Sequence, residues 1–329
     1  MTISDEIFNL TFKNRIPLYT TIEVTYKCNL QCIHCYLPTN CRTKKDLSTD
    51  VIKKTIKNIS ELGGLYIVFT GGEPLLRKDI FELIEYAKKL NFAVLLFTNG
   101  TLINDIVAKK LKISAVDKVE ISLYGNQNSH EKVTRQKGSF KKVFSAIKHL
   151  KNNDIKVALK SPIMKQNYSD YKYLKNIAKQ FDVECKFDFV LTPKNNGDKQ
   201  PQKYMVSNKK IKNFLPSGEH KPTSKVLFSN LICSAGKNIV SISAEGKVNP
   251  CLQFPVSVGN IKNKLFKKIW NSKKMRDLAE PQYSQFVECK KCILISNCNR
   301  CPGLAYIETK NLYGCSETAK NLATIFSSK

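Results

Sequence analysis

The chain has 329 residues, with 54 Lys and Arg against 27 Asp and Glu, and a formal charge of +27. That length holds one large α/β domain plus a smaller one around an ample core. The excess is lysine scattered along the chain, which reads either as a solvated surface or as attraction to an acidic partner such as an acidic peptide. No helix-turn-helix, zinc-finger or aromatic-studded RNA-binding pattern occurs, which argues against nucleic acid. MTISDEIFNLTFKNR at the start has no basic segment followed by an apolar run, so no secretory signal is read. Apolar runs such as 92–97 are strand-sized, far below the ~20 residues that cross a bilayer. The expectation is a cytoplasmic protein with no membrane contact. Twelve cysteines then need a reason, since disulfides are disfavoured in that compartment. Three fall within 28–35 and seven within 233–315, a clustering that suits metal or iron–sulfur ligation.

In chain order, residues 1–17 form an N-terminal extension. From 22 to 190, short apolar runs alternate with helical periodicity. Strands are predicted at 22–25, 66–69, 93–97, 118–123, 156–160 and 186–190. Between them Val51, Ile52, Ile56, Ile59 and Leu62 share one helix face, as do Ile80, Leu83, Ile84 and Ala87. Phe140, Val143, Phe144, Ile147 and Leu150 form a third such face, and Tyr171, Leu174, Ile177 and Ala178 a fourth. Six strand–helix units in a row imply a parallel sheet with right-handed crossovers, either open and doubly wound or closed into a partial barrel. Functional residues are then expected at the carboxyl ends of the strands. The first domain is drawn as 18–205, a connector with a short helix as 206–232, and a cysteine-rich domain as 233–329.

Cys28, Cys32 and Cys35 follow the first strand directly, in IEVTYKCNLQCIHCY. Three thiolates on one short loop can hold three irons of a cubane [4Fe–4S] cluster, leaving the fourth iron free to bind a small molecule; an electron carrier supplies four cysteines. The alternative is a zinc knot, for which His34 or Cys41 would have to be the fourth ligand. The second strand ends in Thr70-Gly71-Gly72-Glu73-Pro74, where two glycines allow close backbone approach and Glu73 offers an acceptor. The third strand ends in Thr98-Asn99-Gly100, a common turn.

This triplet, with His34 before its last cysteine and Tyr36 after it, resembles the signature of the radical S-adenosylmethionine (radical SAM) superfamily. The resemblance covers 18–192. It implies an α/β fold, a partial (β/α)6 TIM-like barrel, with S-adenosylmethionine chelated on the open iron. Cleavage of that cofactor after one-electron reduction would give a 5′-deoxyadenosyl radical that abstracts hydrogen from substrate. Gly71, Gly72, Glu73 and Pro74 are similar to the family motif that binds the methionine amino group. Ser122, Arg135 and Lys160 resemble further contacts to the cofactor, Arg135 to its carboxylate; a structural or surface role is the alternative for each. An electron donor such as flavodoxin or ferredoxin is implied.

The last third contains Cys233, Gly246-x4-Cys251, Cys289-x2-Cys292-x5-Cys298-x2-Cys301 and Cys315. Two zinc sites are one reading. The order also resembles the SPASM domain, a small cysteine-rich C-terminal iron–sulfur domain that binds auxiliary [4Fe–4S] clusters. The family's interleaved pattern would give Cys289, Cys292, Cys298 and Cys315 to one cluster and Cys233, Cys251 and Cys301 to another. The second set has three thiols, so its last iron is open or takes a different ligand. Cys41 and Cys185 fit neither set and read as small buried hydrophobes.

The expected function is a radical SAM oxidoreductase that crosslinks or oxidises a ribosomally made peptide. About twenty residues precede the first strand, too few for a peptide-recognition domain, so a leader would bind the core or a separate protein. The alternatives are small-molecule radical chemistry, such as tetrapyrrole decarboxylation, and a non-catalytic iron–sulfur or zinc protein.

Overall fold

The computed structural model describes residues 2–212, 214 and 233–327. Six parallel strands run as expected: β1 Tyr19–Thr25, β2 Tyr66–Gly71, β3 Ala93–Thr98, β4 Lys118–Ser122, β5 Lys156–Pro162 and β6 Glu184–Asp188. Helices α2 Thr49–Glu61, α3 Ile80–Lys89, α4 Asp105–Ile113, α5 Gln127–Thr134, α6 Ser139–Asn152 and α7 Tyr171–Gln180 lie between them, α5 and α6 both between β4 and β5. The strands form one sheet in the order β6-β5-β4-β3-β2-β1, a partial (β/α)6 barrel.

Period-two alternation gives each strand two faces. In β3, Val94 and Leu96 are fully buried against helices, while Phe97 turns inward to a cavity. Ile52, Ile56 and Ile59 of α2 and Ile80, Leu83 and Ile84 of α3 pack with Ile22, Ile67, Phe69, Val94 and Leu96 in one core. Truncating any of these to Ala costs ~2–5 kcal/mol. Side-chain caps fix several helix starts: Ser48 accepts from the Val51 amide, Asn104 from Val107 and Asn126 from Ser129.

Three features depart from the sequence expectation. The N-terminal extension is a helix, α1 Ile3–Asn14, opened by a reciprocal Thr2–Asp5 cap. Strand β6 lies two residues earlier than predicted, because Asp188 turns back to accept from the Val190 amide at 2.9 Å and ends the strand. The cysteine-rich region also extends the barrel sheet. Its strand β7 Ile239–Ile242 pairs parallel with β1, Tyr19 opposite Ile239, and β8 Lys247–Asn249 and β9 Gly259–Asn260 add antiparallel. In the connector, Asn208–Ile211 is helical; 215–232 lie outside the described residues. Among the described residues no helix is long and apolar enough to cross a membrane.

Candidate active site

Cys28, Cys32 and Cys35 sit on the loop that leaves β1, at the carboxyl ends of the strands. They line a cavity of about 500 Å³ together with Gly71, Gly72, Ser122 and Lys160. The loop is held from several sides. The Gln31 and Ile33 amides donate to the carbonyls of Thr134 and Val133 at the end of α5 (3.3 and 3.0 Å), and Cys35 N closes a turn on the Cys32 carbonyl at 3.2 Å. The Tyr36 hydroxyl donates to Glu23 of β1 at 2.6 Å. Glu23 is buried, and burial lifts its carboxyl to about 7 against that hydrogen bond.

Burial also raises all three thiols, Cys32 to about 12. Left to themselves they are protonated, so ligation of a cation is what would ionise them. Among the described residues, no three His, Cys, Asp or Glu side chains converge on a point that would hold one metal ion. A donor set of three soft thiols around a shared cavity fits a multi-iron cluster. His34 is partly buried beside them, its ring edge-on to Tyr124 at 4.9 Å, and loss of solvation lowers it to about 4, so it is neutral. Cys41 packs with Tyr26, Leu37 and Ala244 and donates its thiol hydrogen to the Pro38 carbonyl. Cys185 is half-buried against the main core.

The glycine pair after β2 exists because backbone meets backbone there. The Gly72 and Glu73 amides donate to the Thr25 and Lys27 carbonyls, both at 2.8 Å. A Cβ on Gly71 would lie 2.2 Å from the Thr25 oxygen, and one on Gly72 2.2 Å from that of Lys27. Glu73 is fully buried and directed into the protein: it accepts from Thr98 Oγ1 (2.7 Å), the Asn99 amide (2.8 Å) and the Leu75 amide (3.1 Å). It therefore ties the β2 loop to the end of β3, and its burial raises its carboxyl despite those bonds. Neither Glu73 nor Pro74 lines the cavity, and Arg135 does not reach it either. Arg135 is exposed at the end of α5 with φ 55°, the left-handed region.

Lys160 reaches over the Phe97 ring, 4.0 Å from its centre, to lie 3.5 Å from Glu120 Oε2. Lys186 of β6 donates to Glu120 Oε1. Glu120 is buried, with its Oε2 otherwise unpartnered, so two half-exposed ammoniums of the cavity wall share one buried carboxylate, with Lys118 farther off at 4.0 Å. Asp188, exposed at its outer side, lines the same wall. Sequence reading noted Tyr36 only as a neighbour of the last cysteine, and missed Glu23, Glu120, Lys186 and Asp188. The signal for the last three was present: Glu120 precedes Ser122 by two, and Lys186 and Asp188 are two apart, the spacing that puts residues on one face of a strand.

In the cysteine-rich region the thiols fall into two groups. Cys301 lies near enough to Cys233 and Cys251 to oppose their ionisation, and burial takes Cys251 to about 11. Cys289, Cys292, Cys298 and Cys315 line a second cavity of about 240 Å³. The turn 251–254 joins the regions: Cys251 faces Cys233 and Cys301, while the next residues, Leu252 and Gln253, line the cavity of Cys28, Cys32 and Cys35.

Two family models match the chain: the radical SAM superfamily over residues 22–179, and SPASM, an iron–sulfur cluster-binding domain, over 233–302. The chain belongs to the radical SAM superfamily and carries a C-terminal SPASM domain. Its cofactors are [4Fe–4S] clusters and S-adenosylmethionine. This radical SAM enzyme is 26% identical to an AdoMet-dependent heme synthase of Methanosarcina barkeri, over 89% of its own chain and 93% of that protein. It is 29% identical to the antilisterial bacteriocin subtilosin biosynthesis protein AlbA of Bacillus subtilis, over 87% and 67%. Its fold matches that of Streptococcus suis SuiB bound to precursor peptide SuiA with a TM-score of 0.72, covering 96% of this chain and 79% of that one at 16% identity.

Proposed function

We propose that this enzyme matures a ribosomally made peptide, forming a crosslink or oxidising a residue. In this reading residues 18–205 are the catalytic barrel and 233–329 the auxiliary domain. Cys28, Cys32 and Cys35 hold the cluster that takes S-adenosylmethionine. Cys289, Cys292, Cys298 and Cys315 hold one auxiliary cluster, and Cys233, Cys251 and Cys301 hold another with an iron open. When bound, these groups supply one-electron cleavage of the sulfonium to a 5′-deoxyadenosyl radical.

The observation that carries the reading is the turn 251–254. Because Cys251 belongs to the auxiliary thiols and Leu252 and Gln253 to the radical cavity, a substrate in that cavity lies against the auxiliary site. Gly71 and Gly72 let the β2 loop pack backbone to backbone on the cysteine loop at the edge of the cofactor cavity, and Ser122 and Lys160 offer the cofactor polar contacts. Lys160 and Lys186 can exchange Glu120 for a carboxylate of cofactor or substrate. The bacteriocin-biosynthesis relative supports a peptide, and a reductant of the flavodoxin or ferredoxin type and a separate leader-binding protein complete the scheme.

A carboxylated tetrapyrrole is the second reading. It is favoured by the near full-length match to a heme synthase and by the two ammoniums on the cavity wall. Anaerobic reaction of the reconstituted enzyme with peptides encoded beside it separates the two. A mass change in one such peptide supports maturation. Unchanged peptides together with turnover of a carboxylated tetrapyrrole overturn it.

A further inference from the structure

Arg300 lies between Cys298 of the four-thiol group and Cys301 of the three-thiol group. Its side chain is 8% exposed. It lines the cavity of Cys289, Cys292, Cys298 and Cys315, and also the neighbouring one that Cys233 enters. Its Nη2 donates to the carbonyls of Leu312 and, at 3.2 Å, Gly314; its Nε is buried without a partner. The guanidinium stacks on Phe286, 4.9 Å from the ring centre. No carboxylate neutralises it: the one arginine ion pair among the described residues is Arg77–Asp79. Glu288 lines the four-thiol cavity without forming an ion pair to it.

A permanently charged guanidinium buried with two carbonyls and no anion is unfavourable. Thiols of both groups line the two cavities it borders: Cys233 in one, and Cys289, Cys292, Cys298 and Cys315 in the other. Clusters held by thiolates are anionic, and each becomes more so by one charge on reduction. A fixed positive charge beside both therefore stabilises the reduced forms and raises both potentials.

We propose that Arg300 is the shared counter-charge of the two auxiliary clusters, sustaining the reduction potential of each. This rests on the assignment of the two thiol groups to clusters. Two substitutions probe it. R300Q keeps an amide donor for the Leu312 and Gly314 carbonyls but removes the charge, whereas R300K keeps the charge.

The test is a redox titration followed by electron paramagnetic resonance. The full chain carries C28A, C32A and C35A, so only auxiliary clusters contribute, and iron and sulfide are counted in each sample. The expected result is a shift of both midpoints to more negative potential in R300Q, with R300K close to the Arg300 parent. Loss of iron from R300Q but not from R300K also supports the proposal, since charge then decides whether the clusters are retained. Midpoints in R300Q equal to the parent's, with iron intact, overturn it and leave the cluster assignment standing. Loss of iron from both variants overturns it in favour of a packing role. A parent without iron removes the cluster assignment and this inference together.

Discussion

The Tyr36 hydroxyl donates to the buried Glu23 carboxylate at 2.6 Å, fastening the loop of three cysteines to the first barrel strand. The carboxyl is raised from its ordinary 4.5 to about 7 by burial. A raised folded-state value means the folded chain holds its proton more tightly than the unfolded chain. The associated stability is complete below about pH 4.5 and is lost as pH rises through about 7. The full window corresponds to about 3 kcal/mol. E23Q keeps an acceptor for Tyr36 and cannot ionise. Denaturant midpoints of the metal-free chain at pH 5.5 and 8.5 should fall with pH in the parent and stay nearly level in E23Q. Parallel behaviour of the two would show that Glu23 does not titrate there.

Gly72 and Gly138 make a matched pair. A Cβ on Gly72 would sit 2.2 Å from the Lys27 carbonyl oxygen; one on Gly138 meets nothing within 4 Å and bears only the strain of φ +80°. G72A should therefore cost about 3 kcal/mol or more and deplete the iron held by the adjacent loop, whereas G138A should cost about 1–2 kcal/mol. Thermal unfolding with iron analysis ranks them, and equal losses would mean the β1–β2 loop contact is absent.

Glu73 accepts three hydrogen bonds where no water reaches. E73A leaves the Thr98 hydroxyl and Asn99 amide unpaired, at about 1–3 kcal/mol each. E73Q turns an amide nitrogen toward one of those donors and should not be silent. Stability and S-adenosylmethionine binding by equilibrium dialysis should fall together in both. Intact stability with lost binding would instead make Glu73 a direct ligand.

Much of the barrel was legible because its strands and helices announce themselves by period. Val94 and Leu96 alternate along β3, and Ile52, Ile56 and Ile59 share a helix face. The cysteine groups were legible because thiols at such spacings have few other uses. Strand β7 was not: its pairing with β1 spans more than two hundred residues, and Ile239–Ile242 is too short to stand out inside the cysteine-rich region. Nor was the Tyr36–Glu23 bond, which joins a loop to a strand interior and leaves no local pattern. Glu73 looked like a ligand because sequence shows a carboxylate but not its direction. Arg135 looked like one because its left-handed backbone and outward side chain depend on how α5 ends.

Glu120 gives a non-additive prediction. Losing Lys186 alone leaves Lys160 at 3.5 Å, so K186M should be mild. K160M with K186M leaves the buried carboxylate only Lys118, 4.0 Å from Oε1, and should cost up to about 3 kcal/mol, above the sum of the single losses. A double-mutant cycle on denaturant unfolding measures the coupling, and additive losses would show that the carboxylate is neutral or solvated.

The most direct measurement is the yield of 5′-deoxyadenosine from anaerobically reconstituted, reduced enzyme supplied with S-adenosylmethionine, comparing the parent with the C28A, C32A and C35A variant. The parent is expected to give the product and the variant none, with auxiliary iron retained. Product formed by the variant at the parental rate would contradict it, because the cofactor would then be cleaved at a different cluster.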